Sequence, residues 1–361
     1  MKPYILVFLA AFTQLAAHGQ QIERGFSKDE FREIFLVTAR TCALDSGYLR
    51  SIPEPRLYTR LYRSTATGLD NLWELWKSDG RAVISIRGTT EKAESWSANL
   101  YAAMVPAKGR LLIAEGKSFD YTLATDERAA VHMGWLLSLA YMADDIVQHI
   151  RSLYGTGMRD FILAGHSQGG AVTYLLTAYL YHLRQAGVLP ADIRFKTYCS
   201  AAPKPGNLYF AYSYEHMTGN GLAFNVVNSA DWVPETPVSI QTLRDFNKVN
   251  PFIHAKGMIK KMKFPKKTVM KHVYRKLSKP TLKAQRNYEK YLGKMTYRTI
   301  REYLPDFKAP EYYHSNHYVR TGNMIVLTPD AAYYEKYPDD PARIFMHHFH
   351  QPYLLLLSYP E

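Results

Sequence analysis

Five residues, Gly165-His166-Ser167-Gln168-Gly169, constrain this chain more than any other stretch. They fit G-x-S-x-G; the hydrophobic run Phe161 to Ala164 precedes them, and Ala171 to Gln185, a helical pattern closed by Gly187, follows. A strand that reverses abruptly into a helix holds its central serine in a strained conformation, and small residues on either side let the backbone turn without a Cβ clash. Ser167 is therefore expected at the carboxyl end of a sheet strand. The backbone N–H of Gln168, at the helix N-terminus, then faces the place where an oxyanion would form.

The flanking pattern extends this local reading to a fold. Ser27 and Glu30 read as a capping box, and Phe31, Ile34, Phe35, Ala39 and Cys42 recur behind them at helical spacing. Ser78-Asp79-Gly80 joins the β-rich runs Leu72 to Lys77 and Arg81 to Ile86 as a hairpin. Val131 to Tyr154 is predicted helical, and Ile193 to Cys199, Leu222 to Asn228 and Asn323 to Leu327 are predicted strands. This alternation predicts an α/β fold with a mainly parallel central sheet and helices on both faces. At 47% hydrophobic and 21% charged residues, the 361-residue chain can bury a full core, which excludes disordered and small disulfide-stapled classes.

Residues 1–19 read as a signal peptide. Lys2 supplies the positive start, Tyr4 to Ala17 form an apolar run, and Ala17-His18-Gly19 places small residues at the cleavage positions. That run is too short to span a bilayer, and no later run reaches about 18 apolar residues. Export, to the periplasm or outside the cell, is the expectation, with residues 20–361 as the working domain. Two cysteines cannot build a disulfide framework. Cys42 falls on the apolar face of a helix and Cys199 in a strand, so each is expected to pack as a free thiol rather than bridge to the other.

The formal net charge of +13 is concentrated. Residues 241–310 hold 19 Lys/Arg against 4 Asp/Glu, a local +15, which leaves −2 for the remainder. Met258, Met262, Phe264, Val269, Met270, Tyr274 and Leu277 alternate with the basic residues there. The pattern predicts a basic helical insertion or cap of two or three amphipathic helices before the last strand. Such a surface fits an anionic membrane or micelle. No base-reading motif is present and an exported protein rarely meets nucleic acid, so none is expected as a partner.

An unactivated serine is a poor nucleophile and needs a histidine base oriented by an acid. Asp231 follows the strand Leu222 to Asn228 after the turn Ser229-Ala230, at the sheet's carboxyl end where sites gather. Of the seven histidines beyond it, His254 and His272 lie in the insertion and His314 and His317 precede the last strand. His347, His348 and His350 follow that strand, where the base is expected. A metal cluster there is disfavoured, because adjacent histidines point in different directions and no carboxylate or cysteine stands at ligand spacing.

Several segments together resemble the class 3 lipases, the fungal-lipase-like branch of the α/β-hydrolase superfamily. Ile86-Arg87-Gly88-Thr89, with Trp96 downstream, resembles the family's oxyanion segment. Val131-His132-Met133-Gly134-Trp135 resembles its V-H-x-G-aromatic helix start, and Ala202-Pro203-Lys204-Pro205-Gly206-Asn207 the turn after the post-elbow strand. Asn228-Ser229-Ala230-Asp231-Trp232-Val233-Pro234 resembles its D-x-V-P segment, and His350-Gln351-Pro352-Tyr353 its terminal H-x-x-Y. The resemblance covers about Phe31 to Asp231 and Tyr312 to Tyr353. It implies the α/β-hydrolase fold, with Ser167 as nucleophile, Asp231 as orienting acid, His350 as base, and Thr89 and Gln168 as oxyanion donors through their N–H groups. His132 and His166 are assigned to packing and hydrogen bonding. Asn99 stands where the family often has Asp, and Gln168 where Leu is common.

The implied activity is hydrolysis of acyl esters, with lipid as the expected substrate class and no metal or organic cofactor. An acyltransferase on the same scaffold is the rival within enzymes. A non-enzymatic surface-binding protein acting through the basic insertion is the rival outside them. Acyl chain length and the choice among acylglycerol, phospholipid and feruloyl-type esters are open at this level, because lid and pocket shape set them.

Overall fold

The computed structural model describes residues 22–42, 46–219 and 221–359; the expected signal peptide lies outside them. Seven strands form the central sheet in chain order: β1 Thr59–Arg63, β2 Trp73–Ser78, β3 Arg81–Ile86, β4 Asp160–His166, β5 Arg194–Ser200, β6 Ala223–Asn228 and β7 Asn323–Leu327. The β1–β2 and β2–β3 pairs are antiparallel, and β3 to β7 are all parallel. This is the mainly parallel α/β sheet that the sequence predicts. The Asp-Gly hairpin closes β2 onto β3, with Gly80 at φ +87° as that turn requires.

Helices cover both faces. On one side lies α1 (Lys28–Cys42), whose Phe31, Ile34, Phe35 and Val37 pack with Ile162, Ala164, Tyr198 and Val226 of the sheet. The other side carries the larger core, built by α3 (Met133–Gly155), α4 (Gln168–Gln185) and α5 (Leu208–Met217) together with α2 (Ala93–Leu100), and a short α9 (Ala331–Lys336) follows β7. The cap of α1 differs from a reciprocal capping box. Ser27 Oγ accepts the Glu30 N–H at 3.2 Å, but the Glu30 carboxylate turns inward to Arg81 at 2.6 Å, Lys196 at 2.5 Å and the Tyr198 hydroxyl at 2.7 Å. Burial of Lys196 on β5 requires a partner, and Glu30 is the one at hand.

Val131 and His132 are a strand rather than the start of a helix. Ala130–His132 pairs with Met104–Pro106 and Gly206–Asn207 in a small antiparallel sheet completed by Tyr318–Val319. The β-ribbon Lys108–Ala114 with Lys117–Thr122 is a further element without a sequence signal. The two- and three-residue strands of the small sheet show too little periodicity to be read locally.

The basic segment holds α6 (Ala255–Lys261), α7 (Lys266–Glu289), a π-helical turn Lys290–Met295 and α8 (Thr296–Tyr303). Its two ends differ. Ile300 and Phe307 are buried in the main core with Tyr101, and the Leu292 carbonyl accepts the Ala103 N–H at 3.0 Å. The residues from Lys260 to Val273 are all exposed. No helix among the described residues is long and apolar enough to cross a membrane.

Candidate active site

The turn after β4 has the geometry that its sequence demands. Ser167 sits at φ +59°, ψ −130° as the N-cap of α4, a backbone conformation that costs an ordinary residue about 1–3 kcal/mol. Close packing over-determines it: a Cβ on Gly165 would lie 2.3 Å from backbone atoms of Gly169, and one on Gly169 would lie 2.3 Å from the Ile86 carbonyl oxygen. The serine stands partly exposed between a buried strand and a buried helix start.

Asp231 follows β6 and is buried. Its carboxylate accepts three hydrogen bonds, from the Val233 N–H at 3.0 Å, the Tyr353 hydroxyl at 2.9 Å and the Nδ1 of His348 at 2.7 Å. Since a carboxylate only accepts, His348 carries its proton on Nδ1 and leaves Nε2 with a lone pair, the form a general base requires.

The structure thus pairs Asp231 with His348 and not with His350, the expected base. His350 opens α10 (His350–Leu357) and faces α1, with Nδ1 2.7 Å from the Tyr48 hydroxyl and Nε2 3.4 Å from Thr38 Oγ1. Its ring packs against Phe35 at 4.7 Å and His166 at 4.2 Å. Burial, and then the neighbouring His348, push its pKa down to about 3. The reason lies in α10 itself. Residues three apart share a helix face, so Tyr353, reaching Asp231, puts His350 on the same buried side but one turn back, against α1. His348 stands ahead of the helix in a short 3₁₀ turn, Met346–His348, and is free to reach the acid from the other direction. His347 goes elsewhere, to the Tyr333 hydroxyl at 2.8 Å and Asp339 at 3.1 Å.

Three side chains pin the loop that carries His348. His166 Nε2 donates to the His348 carbonyl at 2.9 Å, Asn228 Nδ2 to the His347 carbonyl at 3.1 Å, and Trp232 Nε1 to the Ile344 carbonyl at 2.7 Å. His166 adjoins the serine, and Asn228 and Trp232 flank the acid. Burial, reinforced by His350 and His348, holds the pKa of His166 well below the ordinary imidazole value. It stays neutral, with Nε2–H donating and Nδ1 facing Ser200 Oγ at 3.0 Å. His166 thus both packs and hydrogen-bonds, as expected.

Thr89 stands beyond the end of β3, within reach of the elbow. Its hydroxyl donates to the Gln168 side-chain carbonyl at 2.7 Å and accepts from Asn99 Nδ2 at 2.8 Å; Trp135 Nε1 in turn donates to Asn99 Oδ1 at 2.9 Å. The Gln168 side chain thus engages Thr89 directly. The hydroxyl's single proton is already engaged, so what Thr89 can offer an oxyanion is its backbone N–H.

The two thiols have separate partners. Cys42 accepts the Gly88 N–H at 3.3 Å, with its own pKa raised to about 11 by burial, while Cys199 donates to the Gly170 carbonyl at 3.3 Å. An aromatic row borders His348: Phe345 lies 6.0 Å from it, 5.3 Å from Trp232 and 6.1 Å from Trp96 on α2. Both tryptophans are substantially exposed.

Solved structures similar to this chain include the native Rhizomucor miehei lipase propeptide complex, at 19% identity and TM-score 0.42 over 60% of this chain and 65% of that one. Rhizomucor miehei triacylglyceride lipase matches at 19% identity and TM-score 0.44 over 60% of this chain and 77% of that one. A triacylglycerol lipase from Penicillium expansum matches at 15% identity and TM-score 0.44 over 59% and 75%. The chain thus spans just under two thirds of the propeptide-complex chain. None of the curated proteins compared matches it. Residues 83–240, a segment that includes the elbow and Asp231, match the family model of the class 3 lipases, so this part of the chain is similar to that family.

Proposed function

We propose that this protein is an exported serine ester hydrolase that cleaves acyl esters, with lipid esters as the substrate class, through Ser167, His348 and Asp231. The observation that carries the reading is the 2.7 Å Asp231–His348 hydrogen bond on a loop tethered to the serine's own elbow by His166. Ser167 Oγ attacks the ester carbonyl while His348 Nε2 takes its proton. Asp231 keeps the imidazole in the required tautomer and stabilises the imidazolium. The backbone N–H groups of Thr89 and Gln168 receive the oxyanion, the second as an unpaired donor of the first turn of α4. The imidazolium returns its proton to the leaving alcohol, and a water activated by the same histidine releases the acid. The exposed Trp96 and Trp232, with the half-buried Phe345 between them, supply apolar surface for an acyl chain beside the base, and the basic segment 241–310 is assigned to an anionic membrane or micelle surface.

The test is Ser167→Ala in the full chain, with rates measured on esters from short acyl to triacylglycerol to phospholipid and with fluorophosphonate labelling. Loss of both turnover and labelling with an unchanged fold is expected. Undiminished hydrolysis in that variant overturns the reading.

A further inference from the structure

The helix α7 runs for 24 residues with a single acidic residue, Glu289, at its end. Val269, Val273 and Leu277 recur four apart, so they form one stripe, with Met270 beside it. In a folded protein such a stripe is normally buried. Here it is open: Leu277 is 71% exposed, Val269 58%, and Phe264 just ahead of the helix 84%. Lys267, Lys271, Arg275, Lys276 and Lys279 occupy the rest of the circumference. The far end of the helix is anchored, with Ser278 and Gln285 buried and Tyr288 packed near Tyr318.

The geometry points to this face, Phe264, Val269, Val273 and Leu277 with its flanking lysines, as the surface that seats the protein on an anionic lipid layer. This deepens the lipid-ester reading, on which it rests, by naming the face that meets the substrate phase. An interfacial helix needs apolar side chains to enter the acyl boundary and cations to meet the headgroups, and α7 presents both along the same turns. A second copy of the chain is disfavoured as the occupant by the +15 charge of the segment. Nucleic acid would engage the cations but leave the apolar stripe in water. The segment also continues toward the site: α8 packs on α2, the helix of Trp96, with Thr296 Oγ1 reaching the Leu100 carbonyl at 3.5 Å.

The experiment uses the full-length Ser167→Ala chain, co-sedimented with vesicles of phosphatidylcholine alone or mixed with phosphatidylglycerol, at about 0.1 M and about 1 M salt, between which the Debye length falls from about 10 Å to about 3 Å. Binding to the mixed vesicles that fades at high salt is expected. The triple variant Val269→Ser, Val273→Ser, Leu277→Ser should lower the partition coefficient at least about tenfold, and each of Lys267→Gln and Lys271→Gln about fivefold. Because these side chains are already exposed, the same changes in the unmutated enzyme should leave hydrolysis of a soluble short-chain ester unaltered. Binding indifferent to lipid charge or to the triple change overturns the inference. So does binding to duplex DNA without binding to vesicles, or a dimer that the triple change dissolves without vesicle binding. Vesicle binding in a protein that hydrolyses no ester would sink the enzymatic reading alone and leave the docking face standing.

Discussion

The Nε2 of His166 donates to the carbonyl oxygen of His348 at 2.9 Å, so the residue that precedes Ser167 holds the backbone of the residue that pairs with Asp231. Their rings lie 4.8 Å apart. The elbow and the loop of His348 are far apart in sequence, and this bond joins them. His166 is a positioning residue in that arrangement. His166→Phe keeps the bulk but removes the donor; kcat is expected to fall about 10- to 100-fold with little change in KM, since a displaced base costs transition-state stabilisation rather than substrate binding. His166→Gln, which can still donate, should recover part of the loss. An equal rise in KM, or no difference between the two variants, would reduce His166 to packing.

The histidines separate cleanly by substitution. His348→Ala should cost about 10⁴-fold or more in kcat, as removal of a general base does. His350→Gln should leave kcat within about tenfold while lowering stability, because the Tyr48 hydroxyl loses its ring partner. Kinetics and urea midpoints measured on both variants check this; a dominant kinetic loss at His350 would restore it as the base.

Thr89, Gln168 and Asn99 should behave as one network. Thr89→Val leaves the Gln168 carbonyl and the Asn99 amide without their partner and should lower kcat about 10- to 100-fold. Gln168→Leu alone should cost less. In a double-mutant cycle the two are expected to be coupled by about 0.5 kcal/mol or more. Additive effects would mean that the side-chain bond does not position the oxyanion loop.

Buried neutral histidines predict acid sensitivity. His132 and His350 both have pKa values pushed down by burial to about 3, against about 6.5 when unfolded. Between these limits the unfolded chain binds the extra protons, so stability falls as pH drops. Their contribution is full above about pH 6.5 and is lost progressively toward pH 3, at up to about 1.4 kcal/mol per pH unit for each group. Thermal melts from pH 7 to pH 4 should show a falling Tm, and the slope should be shallower in His350→Gln. A Tm that is flat over this range would contradict the neutral buried state.

What the sequence determined by itself is local. The hairpin, α1, the strands flanking the elbow and the positions of Ser167 and Asp231 were all legible, because turn chemistry, period and chain order act over a few residues and leave their mark in those residues. The charge of the segment 241–310 was legible too, as composition. The tertiary structure decided the rest. Choosing among His347, His348 and His350 depends on the path of one loop, and that path is set by donors from His166, Asn228 and Trp232, which are more than 100 residues away in sequence. The orienting role of the Gln168 side chain depends on Thr89 and Asn99 meeting it across the sheet end. An amphipathic pattern such as that of α7 states which face is apolar, but whether a neighbour covers that face is a property of packing alone, and in α7 the stripe stays open.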